Sequence, residues 1–197
     1  MLRSTPVLVP IFAFALVGAD LAATETVRAS VGLEIRSGAE SVRARRNNQV
    51  RLPSGVRLHV VPESGARVYL VYSTATEVNV LARTAVGASA YFSFPSSSAA
   101  ATAEYFALPE VGPVELTVIV SEEPVSALEG QLSRQSWGAV REQLIRSSAP
   151  PVSETGENPT SIAANLRSLP PANSGRFMLR YTGHGLIVRT YAFHVSR

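Results

Sequence analysis

The alternation of apolar and polar residues between Val56 and Ala82 constrains this chain more than any other feature. Three runs, Val56–Val61, Arg67–Ser73 and Glu77–Ala82, are separated by the breakers Pro62-Glu63-Ser64-Gly65-Ala66 and Ser73-Thr74-Ala75-Thr76. Successive strand side chains point to opposite faces, so Val56, Leu58 and Val60 share one face, as do Val68, Leu70 and Tyr72, and then Val78, Val80 and Ala82. Three short apolar faces in succession predict a sheet with one side to bury. This pattern predicts an architecture and no activity.

The flanking sequence continues in the same period. Val31, Leu33 and Ile35 alternate with Gly32, Glu34 and Arg36 as in a half-buried strand, and Val42–Arg46 and Gln49–Leu52 follow around an Asn47-Asn48 turn. From Arg83 to Ala103 the pattern weakens. The apolar knot Tyr91-Phe92-Ser93-Phe94-Pro95 and the low-complexity Ser96–Ala101 predict a long loop or a strand with a mobile tail, followed by a short strand over Glu104–Leu108. Val114, Leu116, Val118 and Val120 form the clearest strand, and the additional apolar Ile119 places it centrally in a sheet.

After Ser121 the period becomes helical. Glu122, Glu123 and Pro124 suit a helix start, and Val125, Leu128 and Leu132 fall at helical spacing. Ser133 or Ser136 caps a second piece whose Trp137, Val140 and Leu144 form one stripe, expected to pack on the sheet or cover an open edge. Ser147–Thr160 reads as a linker, and Asn158–Leu169 as a short helix stopped by Pro170-Pro171. A C-terminal β-hairpin closes the chain, with Phe177–Tyr181 and Leu186–Val195 joined by Thr182-Gly183-His184-Gly185. The last strand carries Ile187, Tyr191, Phe193 and Val195 on one face. The expected fold is mainly β: a β-sandwich, Ig-like or jelly-roll-like, with a short helical excursion before that hairpin. The expected domain layout is a signal peptide over 1–23, a sandwich core with trailing helices over 24–146, a linker and short helix over 147–175, and the hairpin over 176–197.

The signal peptide is read from Arg3, the apolar run Val7–Leu16, and small residues at Val17-Gly18-Ala19 or Leu21-Ala22-Ala23. It predicts export to the periplasm or beyond the cell, with the segment either cleaved or kept as an N-terminal anchor. With no cysteine, an exported chain relies on its hydrophobic core and not on disulfides. All 18 Lys+Arg positions are arginine, which excludes Schiff-base lysines and a P-loop lysine. The only aspartate, Asp20, lies at the end of the signal, which argues against aspartyl dyads, Asp-anchored triads and Asp-rich calcium loops. The net charge of +3 permits an anionic partner without requiring one.

His59, His184 and His194 show no metal-binding spacing, so no metal and no cofactor are expected. No serine lies in a Gly-x-Ser-x-Gly elbow, and only a glutamate could complete a triad with His184 or His194. Glu122-Glu123, the one adjacent carboxylate pair, is explained by a helix N-terminus. Arg43, Arg45, Arg46, Arg51 and Arg57 form the one charge cluster. Guanidinium offers paired donors to phosphate or carboxylate, while the plainer reading is a solvated face that discourages strand-edge pairing. No aromatic residues are interleaved as stacking platforms, so nucleic acid is not an expected partner.

Val68-Tyr69-Leu70-Val71-Tyr72, Val80-Leu81, Phe92-Ser93-Phe94-Pro95 and Gly112–Pro124 together resemble a bacterial domain-of-unknown-function family. Its members occur in exported or envelope-associated proteins and beside caspase-like peptidase or kinase domains. The resemblance covers about Gln49 to Leu128 and implies an accessory or ligand-binding sandwich without catalytic residues. The expected function is therefore a non-enzymatic, exported interaction module of the cell envelope. It would bind an envelope or secreted protein through a sheet surface or the Arg83–Ala103 loop, with no membrane span in the mature chain. Two alternatives stand beside it: a small secreted hydrolase using Ser, His and Glu, and a module binding an anionic polymer through the arginine cluster.

Overall fold

A computed structural model of the chain describes residues 26–96, 104–108, 111–148 and 174–197. The expected signal peptide, the Asn158–Leu169 helix and most of the low-complexity tract fall outside them. The fold is mainly β, with two sheets packed face to face as a sandwich. One sheet contains β1 (Thr26–Ser37), β2 (Glu40–Arg43), β4 (Ser54–Pro62), β7 (Phe92–Phe94), β8 (Phe106–Ala107) and β10 (Leu179–His184). The other is ordered β3 (Asn47–Arg51), β11 (Leu186–Ser196), β9 (Gly112–Ser121), β5 (Ala66–Thr74), β6 (Val78–Val86).

The core is built from the inward rows of both sheets. Val27, Ala29, Val31, Leu33 and Ile35 of β1 and Val56, Leu58 and Val60 of β4 meet Val68, Leu70 and Tyr72 of β5, Leu116 and Val118 of β9, and Ile187 and Phe193 of β11. The central position expected for the Val114–Ser121 strand is found, since β9 lies between β5 and β11. The C-terminal strands β10 and β11 turn about Gly185, at φ +71°. Ladder pairing assigns β10 to the first sheet and β11 to the second.

Two sequence expectations differ in detail. The three central runs do not form one sheet: β4 pairs with β1, whereas β5 and β6 pair with each other in the opposite sheet. The breaker Glu63–Gly65 carries the chain across the sandwich. Nor do Val78, Val80 and Ala82 share a face. The β5–β6 register slips at Leu70/Val71, so that Leu81 is an extra residue, and beyond it the strand's faces exchange. Ala82 therefore packs on the core, whereas Val78 and Val80 pack on the outer side with Tyr69, Val71 and Ile119.

That outer side is covered by helix. α1 (Ser126–Glu129) stops at Gly130, and α2 (Arg134–Ser147) begins at Ser133, whose side chain accepts from the Ser136 amide in a capping box. The Trp137 and Leu144 stripe packs on Tyr69, Val71 and Ile119, the first of the two placements expected for it. No helix among the described residues is long and apolar enough to cross a membrane.

Candidate functional site

The arginine run lies where the chain changes sheets. One edge of β1 pairs with β4. Its other edge is shared, with β10 along Thr26–Val31 and β2 along Glu34–Ser37. Gly32 and Leu33 are left between them. From β2 the chain leaves this edge through Ala44–Arg46 and joins the second sheet as β3, parallel to β11 from Ala192 to Ser196. β3 thus covers only the last part of the β11 edge, and among the described residues no strand pairs with Leu186 to Tyr191 on that side. A cleft opens between the two incomplete edges.

Local hydrogen bonds fix the crossing. The Ala44 amide donates to the Leu33 carbonyl at 2.7 Å, and the Ala192 amide to the Arg46 carbonyl at 2.8 Å, so the segment is tied to both sheets. Asn48 clasps it further: its Oδ1 accepts from the Arg45 amide at 2.8 Å, and its Nδ2 donates to the Arg45 and Ala192 carbonyls at 2.7 and 3.2 Å. Ala44 is buried between the exposed arginines. Arg43, Arg45 and Arg46 are therefore held on a fixed backbone and project outward.

The cleft has a volume of about 630 Å³ and is lined by Arg43, Arg45, Arg46 and Arg189 together with Val31, Ala44, Phe177, Leu179, Tyr181 and Tyr191. Among the described residues no carboxylate lines it. Arg43 and Arg45 also border a second concavity, which contains Arg51, and Arg46 and Arg189 a third, which contains Arg141 and Glu115. Among the described residues, Arg43, Arg45, Arg46 and Arg51 have no carboxylate within salt-bridge distance. Arg57 is not part of this group. It sits on the outer face of the first sheet, 5.1 Å from the Tyr105 ring centroid, with Arg36 at 5.0 Å from the same ring. The structure thus gathers four of the five candidate arginines and separates the fifth.

Arg189 is the residue that sequence reasoning missed. It is only 7% exposed and sits in the inward row of β11 with Ile187 and Tyr191. Its guanidinium carbon lies 4.8 Å from the Tyr181 ring centroid and 5.9 Å from that of Tyr191, and the Tyr191 hydroxyl is hydrogen-bonded to Arg189 and Tyr181. Burial, reinforced by Tyr181, pushes the Tyr191 phenol far above its ordinary range, so it remains a neutral partner. The signal was present in the sequence: Arg189 has the same parity as the apolar residues Ile187, Tyr191, Phe193 and Val195.

The histidines divide differently. His184 and His194 are exposed, and among the described residues no serine hydrogen-bonds to either. His59 is the histidine with a carboxylate partner, its Nε2 lying 3.1 Å from Glu34 Oε2 and its Nδ1 2.7 Å from the Tyr91 hydroxyl. Tyr105 donates to the other Glu34 oxygen at 2.8 Å, and Phe177 stacks on the imidazole with centroids 5.9 Å apart. Both ring nitrogens are engaged and the ring is 2% exposed, so the pair offers no base to a substrate. It is a buried polar knot joining β1, β4 and their covering residues. No group of three or more His, Cys, Asp or Glu among the described residues could hold a metal ion. Comparison with protein-family models, with curated proteins and with solved structures finds no match to this chain.

Proposed function

We propose that the protein is an exported, non-catalytic interaction module of the cell envelope that holds an anionic polymer on its arginine-lined edge. The carrying observation is the set Arg43, Arg45, Arg46 and Arg51, fixed around adjoining concavities with no carboxylate partner among the described residues. Charged side chains that need only solvent do not require a clasped backbone beneath them. Here Asn48 and two cross-sheet bonds hold that backbone in place. Export is motivated by the basic start, apolar run and small residues within 1–23.

The geometry favours the anionic polymer over a protein docked on a sheet face. The outer face of one sheet is covered by α2, and that of the other by Tyr91, Tyr105 and Phe177 around His59 and Glu34. The large exposed apolar residues among those described, Val42, Val111 and Ile145, are on different elements. Among the described residues that leaves no continuous apolar sheet surface for a partner.

The test is titration of the full chain with long-chain polyphosphate and with polyglucuronate at several salt concentrations. Affinity should fall steeply with salt and be lost on combined charge reversal of Arg43, Arg45, Arg46 and Arg51 to Glu, while Arg57→Glu leaves it unchanged. Binding that survives the fourfold reversal, or no binding at low salt, would overturn the reading. N-terminal sequencing of the protein from fractionated cells checks export, and an intact Met1 confined to the cytosol would contradict it.

A further inference from the structure

We infer that the cleft between the sheets is a site for a discrete amphipathic anion, a phosphate monoester or carboxylate group carried on an aromatic or apolar body. This rests on reading the arginine edge as anion-binding, and it specifies what the deepest part of that edge accepts.

Arg189 lies in the inward row of β11. A guanidinium in the inward row of a sandwich has given up most of its hydration, a cost that ordinary surface arginines do not meet. Stacking on Tyr181 and the bond to Tyr191 hold its plane in place at the cleft. Planar paired donors on a fixed support match the oxygens of phosphate and carboxylate. Arg43, Arg45 and Arg46 add positive charge at the rim, and among the described residues no carboxylate in the lining competes for it.

The lining also has an apolar part, Val31, Phe177 and Leu179. A bare inorganic ion would leave that apolar part wetted, and a polymer running across the surface would meet Arg45 and Arg51 without entering. A ligand with an anionic end and an apolar body satisfies both parts of the lining at once. The volume of about 630 Å³ suits such a molecule, since small-ligand sites span roughly 300–1,000 Å³.

The test uses the full chain, isotope-labelled, titrated with phenyl phosphate, benzoate, inorganic phosphate and long-chain polyphosphate. Phenyl phosphate or benzoate should shift the amide resonances of Leu179, Tyr181 and Arg189, and should bind on the order of tenfold more tightly than inorganic phosphate. Which of the two binds better identifies the anionic group. Arg189→Lys keeps the charge but loses the planar fork. It should weaken the aromatic ligand about tenfold and leave polyphosphate affinity unchanged. Trp137 emission reports whether the variant is folded; if it is not, the wild-type resonance shifts decide alone. Equal affinity for phenyl phosphate and inorganic phosphate, or shifts confined to Arg45 and Arg51, would overturn this inference while leaving polymer binding intact. Loss of polyphosphate binding alone would overturn the polymer reading and not this one.

Discussion

Glu34 and His59 meet across the β1–β4 ladder, Oε2 to Nε2 at 3.1 Å, on a sheet face that would be solvent-exposed without the residues covering it. The neutral imidazole fits its surroundings: Nε2–H donates to the carboxylate, and Nδ1 accepts from the Tyr91 hydroxyl, whose proton is retained because burial raises its pKa. Burial also lowers the His59 pKa below its ordinary 6.5, outweighing the pull of Glu34. For Glu34, burial alone would raise the pKa, but hydrogen bonds from Ser41, Tyr105 and His59 hold it below 4.5.

Both shifts make acid destabilising. The unfolded chain protonates its histidine from about pH 6.5 downward while folded His59 resists, so stability falls as pH drops below that value. Folded Glu34 contributes stability present above pH 4.5, which is lost as pH falls through its depressed folded pKa. Urea unfolding midpoints should therefore decline from pH 7 to 5 and again below pH 4.5. His59→Gln should lower stability at pH 7 by about 1–3 kcal/mol and flatten the first decline. A decline between pH 7 and 5 unchanged in that variant would assign it to another group.

The Arg141–Glu115 pair provides a contrast. Its Nη1–Oε2 distance is short, 2.6 Å, but each side chain is 33% exposed. Solvent screens such a pair, and Glu115→Gln should cost less than about 1 kcal/mol in a urea titration at moderate salt. A loss as large as that from His59→Gln would show that distance, and not burial, governs these pairs.

α2 owes its position to its apolar stripe. A helix of 14 residues is marginal by itself, so Trp137 and Leu144 against Tyr69, Val71 and Ile119 must supply most of its stability. Leu144→Ala should cost about 2–5 kcal/mol, whereas removing the cap with Ser133→Ala should cost about 1 kcal/mol. Trp137 is the only tryptophan and is 4% exposed, so its emission should be blue-shifted and should move to the red on unfolding. A red-shifted native spectrum would mean that α2 is not docked.

The sequence was legible wherever structure is local. Strand alternation located the core rows of β1, β4, β5, β9 and β11, and serine capping with the Trp137 stripe located α2. What stayed hidden depends on pairing between distant residues. Leu81 becomes a bulge only because β5 fixes the register opposite it, and no property of Leu81 itself announces this. Alternation puts His59 on the face opposite Leu58 and Val60, but its partner Glu34 is 25 positions away and its cover comes from Tyr91 and Phe177. The arginine cluster was visible as a run, yet Arg57 left it because it points to the outer face of β4 beside Tyr105, and Arg189 joined it through the β11 edge.

Gly32 connects the fold to the cleft. It sits opposite His59 in the β1–β4 ladder, at the gap between β10 and β2, and a Cβ there would run into the backbone carbonyl of Phe177. Only glycine lets the turn Ser174–Phe177 lie against β1, where Phe177 stacks on His59 and also lines the cleft. Because the obstacle is backbone, a change of rotamer cannot relieve it. Gly32→Ala should destabilise the fold by about 1–3 kcal/mol and push the turn outward. The displacement should weaken phenyl phosphate binding through the moved Phe177 while polyphosphate binding at Arg45 and Arg51 persists. Measuring both ligands on one folded sample separates the two effects, because general unfolding would lower them together. A Gly32→Ala protein with unchanged midpoint and unchanged phenyl phosphate affinity would show that the turn does not press on β1 in solution.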